Sequence, residues 1–210
     1  MKRLYGDIKM SWWKVLLFAV AVGVYTGVVM MIPVLENTSF QDIGITYEWW
    51  VIFAVIIVVN CNKSWEAMLK CFVFFLVSQP VIFGVEVIFG HLALDQAWYY
   101  LSTIWLIEIV LTLPGGFIAY FCKKQNLLGS VILGLGNTIQ AGLALHFFGT
   151  AIRHFPHHLL SGIVCIASIF VMSFCIQKQK KYRLVSILLP VVLVAVIVVY
   201  AKITGRTLFI

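Results

Sequence analysis

Glu108 has the most unusual setting in the sequence, because its carboxyl group falls in the middle of the long apolar run 97–122. If that run crosses a membrane, the group lies near the centre of the hydrocarbon, where a charge is costly and normally faces protein or water. No Lys, Arg or His of the other apolar runs falls at the same depth. The sequence therefore predicts that Glu108 is protonated, hydrated in a cavity or bound to a cation.

Uncharged polar residues occupy the middle of two further apolar runs, 66–89 and 127–149. Because a helix rises about 1.5 Å per residue, these positions reach the same level as Glu108 when the runs span a membrane. They are predicted ligands for a cation or a polar solute, and their alternative role is a buried hydrogen-bond cluster that joins the third, fourth and fifth predicted helices. The residues concerned are Ser78 and Gln79 in the first run, and Asn137, Thr138 and Gln140 in the second.

A line of polar groups leads from the end of the run 66–89 toward its middle. Gln79 and Glu86 are seven residues apart, so they share one face of a helix. Glu86 lies nearer to the end of the run and to His91, which follows it. The pattern indicates a route by which a proton, a cation or a small solute approaches Glu108 from the outer face.

Three imidazoles fall within five residues at His154, His157 and His158. Zinc or copper binds such groups, so a divalent metal is the one candidate cofactor, and an outer-face enzyme that uses these histidines is an alternative function. Their spacing, interrupted by Pro156, matches no standard zinc motif, and histidines of a solvated loop are the simpler interpretation. The chain carries none of the common hydrolase, protease or nucleotide-binding motifs. A non-catalytic membrane subunit or sensor is a third hypothesis.

The elements that must position these groups are apolar helices. Of the 210 residues, 62% are hydrophobic and 11% are charged, a composition that suits lipid rather than water as the solvent. Since a spanning helix needs about 20 apolar residues, the sequence predicts an all-α polytopic bundle of about seven transmembrane helices in a single domain over residues 1–210. The predicted spans are 12–34, 47–60, 66–89, 97–122, 127–149, 158–176 and 184–202.

Basic residues between the apolar runs predict the orientation of the bundle. With seven spans and a cytoplasmic N-terminus, twelve Lys and Arg residues fall inside and three fall outside, where the C-terminus then lies. If the short run 47–60 did not span, every later loop would change sides, so it is retained as a span. The net charge of +7 is therefore attributed to topology in a multi-pass protein of the plasma membrane, whose partner is the lipid bilayer and not nucleic acid.

Small residues predict close helix packing at two places. Gly23 and Gly27 share one helix face, as do Gly134 and Gly142. Such faces serve either packing within the chain, which is the favoured interpretation, or association of copies into a homo-oligomer. Separately, the run Leu-Pro-Gly-Gly at 113–116 predicts the sharpest helix break.

These patterns favour a small transporter or channel for a cation or a small polar solute, coupled to protons through a carboxyl group in the membrane. Glu108 is the expected protonatable or ion-binding group. The expected ligands are Gln79, Ser78, Asn137, Thr138 and Gln140, and the expected outer approach is Glu86 with His91.

Overall fold

The computed structural model describes residues 8–204, which are helical apart from turns and short connections. Helices α5 and α6 are joined by a π-helical stretch, Leu101–Trp105, so that they continue as one long rod. The helices are α1 Trp12–Met30, α2 Ser39–Ile45, α3 Tyr47–Val59, α4 Ser64–Ile88, α5 Leu94–Tyr100, α6 Leu106–Ala119, α7 Leu127–Arg153, α8 Leu159–Ile176 and α9 Lys180–Thr204.

Six of the described helical runs are long and apolar enough to cross a membrane: α1, α4, the rod Leu94–Lys123, α7, α8 and α9. Helix α3 has 13 residues, or about 20 Å of length, which is short of a hydrocarbon core of about 30 Å. The predicted span 47–60 thus reaches this length only together with α2, to which α3 is joined at a bend of 53°. The chain has the helices of a multi-pass membrane protein, with six spans, or seven if the bent pair is one.

The chain divides into two compact units, Met1–Tyr120 and Phe121–Ile210. In unit 1, α1 packs along α4 through its glycines. A methyl group added at Gly23 would lie 2.8 Å from the carbonyl oxygen of Ser78, and one added at Gly27 would lie 2.8 Å from Cβ of Val85. The glycines therefore let the two backbones approach closely, and the favoured prediction of packing within the chain is confirmed at this face.

Aromatic side chains fill the space between α1, α3 and α4 of unit 1. The ring of Trp50 on α3 contacts Phe74 and Phe75 on α4, with centroids 5.9 and 5.3 Å apart. Phe53 and Phe18 complete the cluster at 5.3 Å from each other. Trp50, a residue type that usually settles at membrane interfaces, is instead part of this buried core.

Helix α6 runs without a break through the Leu-Pro-Gly-Gly sequence at 113–116, so the prediction of a sharp break there is wrong. Gly116 explains why this sequence suits a helix. It lies against α4, where an added Cβ would be 3.1 Å from the carbonyl oxygen of Ala67 and from Cβ of Cys71. The break in unit 1 lies instead between α2 and α3.

In unit 2, α7 packs against both α8 and α9. Gly134 faces Leu189 of α9, whose Cδ2 would be 2.8 Å from an added Cβ, and Gly162 of α8 faces the ring of Phe148. Gly142 has no neighbouring atom within 4 Å of such a Cβ. The Gly23–Gly27 face is thus covered within the chain, and so is Gly134 of the second face. The homo-oligomer hypothesis therefore now concerns Gly142 alone of these four glycines.

Candidate functional site

The bend between α2 and α3, here called the α2–α3 corner (residues 42–48), is fastened to α1. The carbonyl oxygen of Gly44 accepts hydrogen bonds from the Thr26 hydroxyl at 3.3 Å and from the Trp50 indole at 3.0 Å. The Tyr25 hydroxyl donates to the carbonyl of Phe40 at 2.9 Å. A Cβ at Gly44 would lie 2.2 Å from Oγ1 of Thr26, so only glycine permits this approach.

Two carboxyl groups are buried at the corner. Asp42 is 3% exposed and Glu48 is fully buried, and the two are close enough to interact electrostatically. Thr46 contacts the carboxyl group of Glu48 and the backbone of Asp42. Its hydroxyl oxygen is 2.5 Å from Oε1 of Glu48 and 2.8 Å from the carbonyl oxygen of Asp42. A hydroxyl has one hydrogen to donate, so both contacts are hydrogen bonds at once when Glu48 carries a proton and donates it to Thr46.

The predicted central carboxyl, Glu108, lies near the middle of the rod Leu94–Lys123 and follows the π-helical stretch. It is half-buried. The hydroxyl of Tyr47, the first residue of α3, donates to Oε1 of Glu108 at 3.2 Å. Glu108 is therefore linked to the residue beside Glu48, which makes it a neighbour of the corner within unit 1.

Ser78 and Gln79 are both buried in α4, as expected for polar residues in the middle of a span. The Ser78 hydroxyl donates to the carbonyl of Phe75 at 3.4 Å, a contact within its own helix. Gln79 lies one turn beyond Phe75 and thus one turn beyond the Trp50 contact, at the level where α3 begins. Its Nε2 is buried and has no hydrogen-bond partner among residues 8–204.

Glu86 and His91 lie close together at the end of α4. Glu86 is 8% exposed, whereas His91 is exposed. The backbone N–H of His91 donates to the carbonyl of Glu86 at 2.9 Å, and the carboxyl and imidazole groups are close enough to interact electrostatically. Since Gln79 and Glu86 are buried on the same helix, α4 carries polar groups from its exposed end to the level of the corner.

The predicted ligands Asn137, Thr138 and Gln140 belong to α7, and thus to unit 2. Nδ2 of Asn137 donates to the Ser173 hydroxyl of α8 and to the Ser186 carbonyl of α9, each at 3.0 Å. Thr138 donates to the carbonyl of Gly134 in its own helix, and Gln140 is completely buried. Asn137 therefore joins α7, α8 and α9, which contain the fifth, sixth and seventh predicted spans, whereas the alternative from the sequence was a cluster joining the third, fourth and fifth.

The histidines predicted as metal ligands lie between α7 and α8. The rings of His154 and His157 are 6.4 Å apart, and the ring of His158 lies 5.6 Å from that of Phe147. Within the described ranges, no three His, Cys, Asp or Glu side chains are grouped so that they could hold a metal ion. The metal site remains a prediction from the sequence.

No known family, curated protein or solved structure matches the chain. The chemistry of the site itself is therefore the basis for a proposed function.

In unit 1, the described lysines gather at the end where α1 and α4 begin, and there Lys70 pairs with Glu66 at 2.5 Å. The α2–α3 corner and Glu86 lie toward the other end, because Thr26 is near the end of α1 and Glu86 is near the end of α4.

Sequence reasoning missed the corner as a site, although it carried a signal. Asp42 and Glu48 flank Gly44 and Thr46, and Glu48 is the second residue of the run 47–60, the shortest of the predicted spans. A glycine and a threonine stand between the two acidic residues, where this short apolar run begins. Such a composition is typical of a broken membrane helix that carries ionisable groups. What the sequence could not supply is Thr26, the residue of α1 onto which the corner folds.

Proposed function

We propose that the protein is a multi-pass transporter or channel for a small cation or polar solute, in which the α2–α3 corner takes up and releases a proton. The observation that carries the proposal is the pair of buried carboxyl groups of Asp42 and Glu48, together with the 2.5 Å contact between the Thr46 hydroxyl and Glu48 Oε1. A buried site with two interacting carboxyl groups favours one bound proton or cation, because two like charges at short range repel each other strongly.

Energetics support a functional role for these groups. Hydrogen bonds between membrane helices contribute on average about 0.6 kcal/mol, whereas a carboxylate placed at the centre of a span costs about 2.5–3.5 kcal/mol. Packing alone would thus favour an apolar residue at position 48. Ionisable groups within spans are typical of proton and ion pathways, and a discontinuous helix is the usual way in which transporters present them.

The route that we propose uses groups of unit 1. His91 and Glu86 form the entrance, Gln79 lies at the level of the corner, and Glu48 is the exchanging carboxyl. Glu108 and the Tyr47 hydroxyl lie next to it as a second station. The proposed setting is the plasma membrane with the N-terminus inside and the C-terminus outside, as the distribution of basic residues favours.

Flux into proteoliposomes tests this proposal. A pH-sensitive dye in the lumen reports proton entry when a potassium gradient with valinomycin sets the membrane potential, and ion-selective dyes report sodium and potassium. We expect Glu48→Gln to lower the flux about 100-fold, the order of magnitude that a positioned proton-transfer group contributes.

Glu36→Gln is the matched control, because Glu36 is an exposed carboxyl outside the helices. It removes the same charge and should leave the flux unchanged. Wild-type flux in Glu48→Gln vesicles would remove this carboxyl from the mechanism. Absence of proton, sodium and potassium flux in wild-type vesicles of verified monodisperse protein would overturn ion transport itself.

A further inference from the structure

The residues of unit 2, Phe121–Ile210, include nine Lys and Arg residues but no Asp or Glu. Six of the nine flank the starts of α7 and α9 and form what we call the basic end. Because α8 ends next to the start of α9, the chain returns to this end after leaving it along α7. The basic end comprises Lys123, Lys124, Lys178, Lys180, Lys181 and Arg183.

Two glutamines clamp the loops that carry these charges. Nε2 of Gln177, which is fully buried, donates to the carbonyls of Cys122 at 2.6 Å and Lys124 at 3.2 Å. In return, Nε2 of Gln125 donates to the carbonyl of Ile176 at 2.8 Å, and its Oε1 accepts from the backbone N–H of Lys178 at 2.7 Å. The loop before α7 and the loop before α9 are thus held side by side, and their lysines with them.

Arg183 reinforces the arrangement from α9. Its guanidinium donates to the carbonyl of Gln177 at 3.2 and 3.3 Å and lies 4.3 Å from the centre of the Phe174 ring. The lysine side chains take no part in these hydrogen bonds to the loop carbonyls. Lys124, Lys178, Lys180 and Lys181 are all exposed.

This concentration of positive charge is unfavourable for the folded chain by itself. The N-terminal end of a helix carries a partial positive charge, which disfavours nearby cations. Here α7 and α9, of 27 and 25 residues, both begin among lysines. Because residues 121–210 contain no Asp or Glu side chain, an anionic partner would supply the compensating negative charge.

We propose that the basic end binds the phosphate headgroups of anionic phospholipids in preference to zwitterionic ones. The apolar side chains beside it identify the partner as a bilayer surface: Leu127, Leu128, Phe174 and Leu184 are 47–60% exposed, which suits contact with acyl chains directly beneath the headgroups. Exposed lysines above exposed leucines are the arrangement that meets both parts of a lipid. This inference is independent of the transport function proposed for unit 1.

Native mass spectrometry of the full chain, titrated with phosphatidylglycerol or phosphatidylcholine, measures the preference for the anionic lipid. The test variant is the triple substitution Lys178→Gln, Lys180→Gln and Lys181→Gln. From the typical contribution of a basic residue near an anionic surface, we expect the preference to fall on the order of 100-fold. The corresponding triple change to arginine keeps the charge and should retain the preference.

The matched control removes three basic residues from unit 1: Lys9→Gln, Lys14→Gln and Lys63→Gln. We expect little change, because Glu66 supplies a carboxylate at the same end of unit 1, whereas unit 2 contains no Asp or Glu side chain. An equal loss in both triple variants would show a general charge effect and overturn the site. So would an unchanged preference in the test variant. Should the triple variant aggregate, Lys178→Gln alone is expected to lower the preference about fivefold, and no change in that variant would equally overturn the site.

Discussion

The two units of this chain differ in the polar side chains that they bury. Unit 1 contains all eight acidic residues and all seven tryptophans, whereas unit 2 contains neither type. In unit 1, carboxyl groups lie buried in the α2–α3 corner and in α4. In unit 2, amide side chains tie helices and loops together, with Asn137 joining three helices and Gln177 joining two loops. Buried polar groups thus join helices and loops in unit 2, whereas in unit 1 we propose that they serve proton transfer.

The sharpest way to break this comparison is to exchange a buried amide for leucine in each unit. We expect Gln79→Leu to lower flux in proteoliposomes about tenfold or more, because Gln79 lies at the level of the corner. Its unfolding free energy should change by less than about 1 kcal/mol, since Nε2 of Gln79 has no partner to lose within residues 8–204.

Asn137→Leu should show the reverse pattern. The substitution removes hydrogen bonds to Ser173 and Ser186, so we expect a loss of about 1–2 kcal/mol in unfolding titrations in mixed micelles, with flux per folded molecule unchanged. If both variants lose flux equally, or both lose stability equally, the division of roles between the units fails.

A loss of stability comparable to that of Asn137→Leu is expected from closing the α2–α3 corner sterically. In Gly44→Ala, the added methyl group meets Thr26 at 2.2 Å, and relief of such overpacking costs about 1–3 kcal/mol. Gly84→Ala is the control, because no atom lies within 4 Å of its added Cβ. That variant should be as stable as the wild type or gain up to about 1 kcal/mol. Equal thermal stability in the two variants would argue against the observed packing on α1.

The glycines of α7 sharpen the comparison within unit 2. Gly134→Ala meets the end of the Leu189 side chain, which can move aside, so we expect a loss of less than about 1 kcal/mol in the same titrations. Gly142→Ala meets nothing within the chain and should be neutral. If Gly142→Ala instead shifts the protein to a smaller mass in light scattering, that face joins copies of the chain.

The smallest effect is expected from the histidines of unit 2. His154 and His157 supply two candidate ligands, and a stable zinc site usually has three or four from the protein. We therefore expect equilibrium dialysis to find less than about one tightly bound zinc per chain, and the double change of both residues to alanine to leave that value unaltered. Stoichiometric zinc that is lost in the double variant would revive the metal hypothesis.

The sequence predicted the long helices well because their signal is local. Runs of apolar residues located α1, α4 and α7–α9, and the Gly23–Gly27 spacing correctly indicated close packing within the chain. Pro114 was misjudged because its effect depends on the neighbour: Gly116 lets α6 lie against α4, so the helix continues.

The candidate site was predicted only in part, for a physical reason. Glu108, Gln79 and Glu86 were recognised because each interrupts an apolar run. Asp42 stands before such a run and Glu48 is the second residue of the run 47–60, so both look like solvated residues at the start of a helix. Their burial depends on the contact between the corner and α1. There the Thr26 hydroxyl bonds the carbonyl of Gly44, which lies 18 residues later in the sequence. No local pattern encodes a contact of this kind.

The pairing of α1 with α4 has a consequence for biosynthesis. Lys70 of α4 reaches the carbonyl of Met10, 60 residues earlier in the chain, and the α1 glycine face fits α4 alone among the contacts described. At about 5–20 residues per second, a ribosome needs about 3–12 s to make that intervening stretch. Throughout this interval α4 does not yet cover the glycine face of the first helix. Lipid or the membrane insertion machinery has to cover that face until α4 has been made.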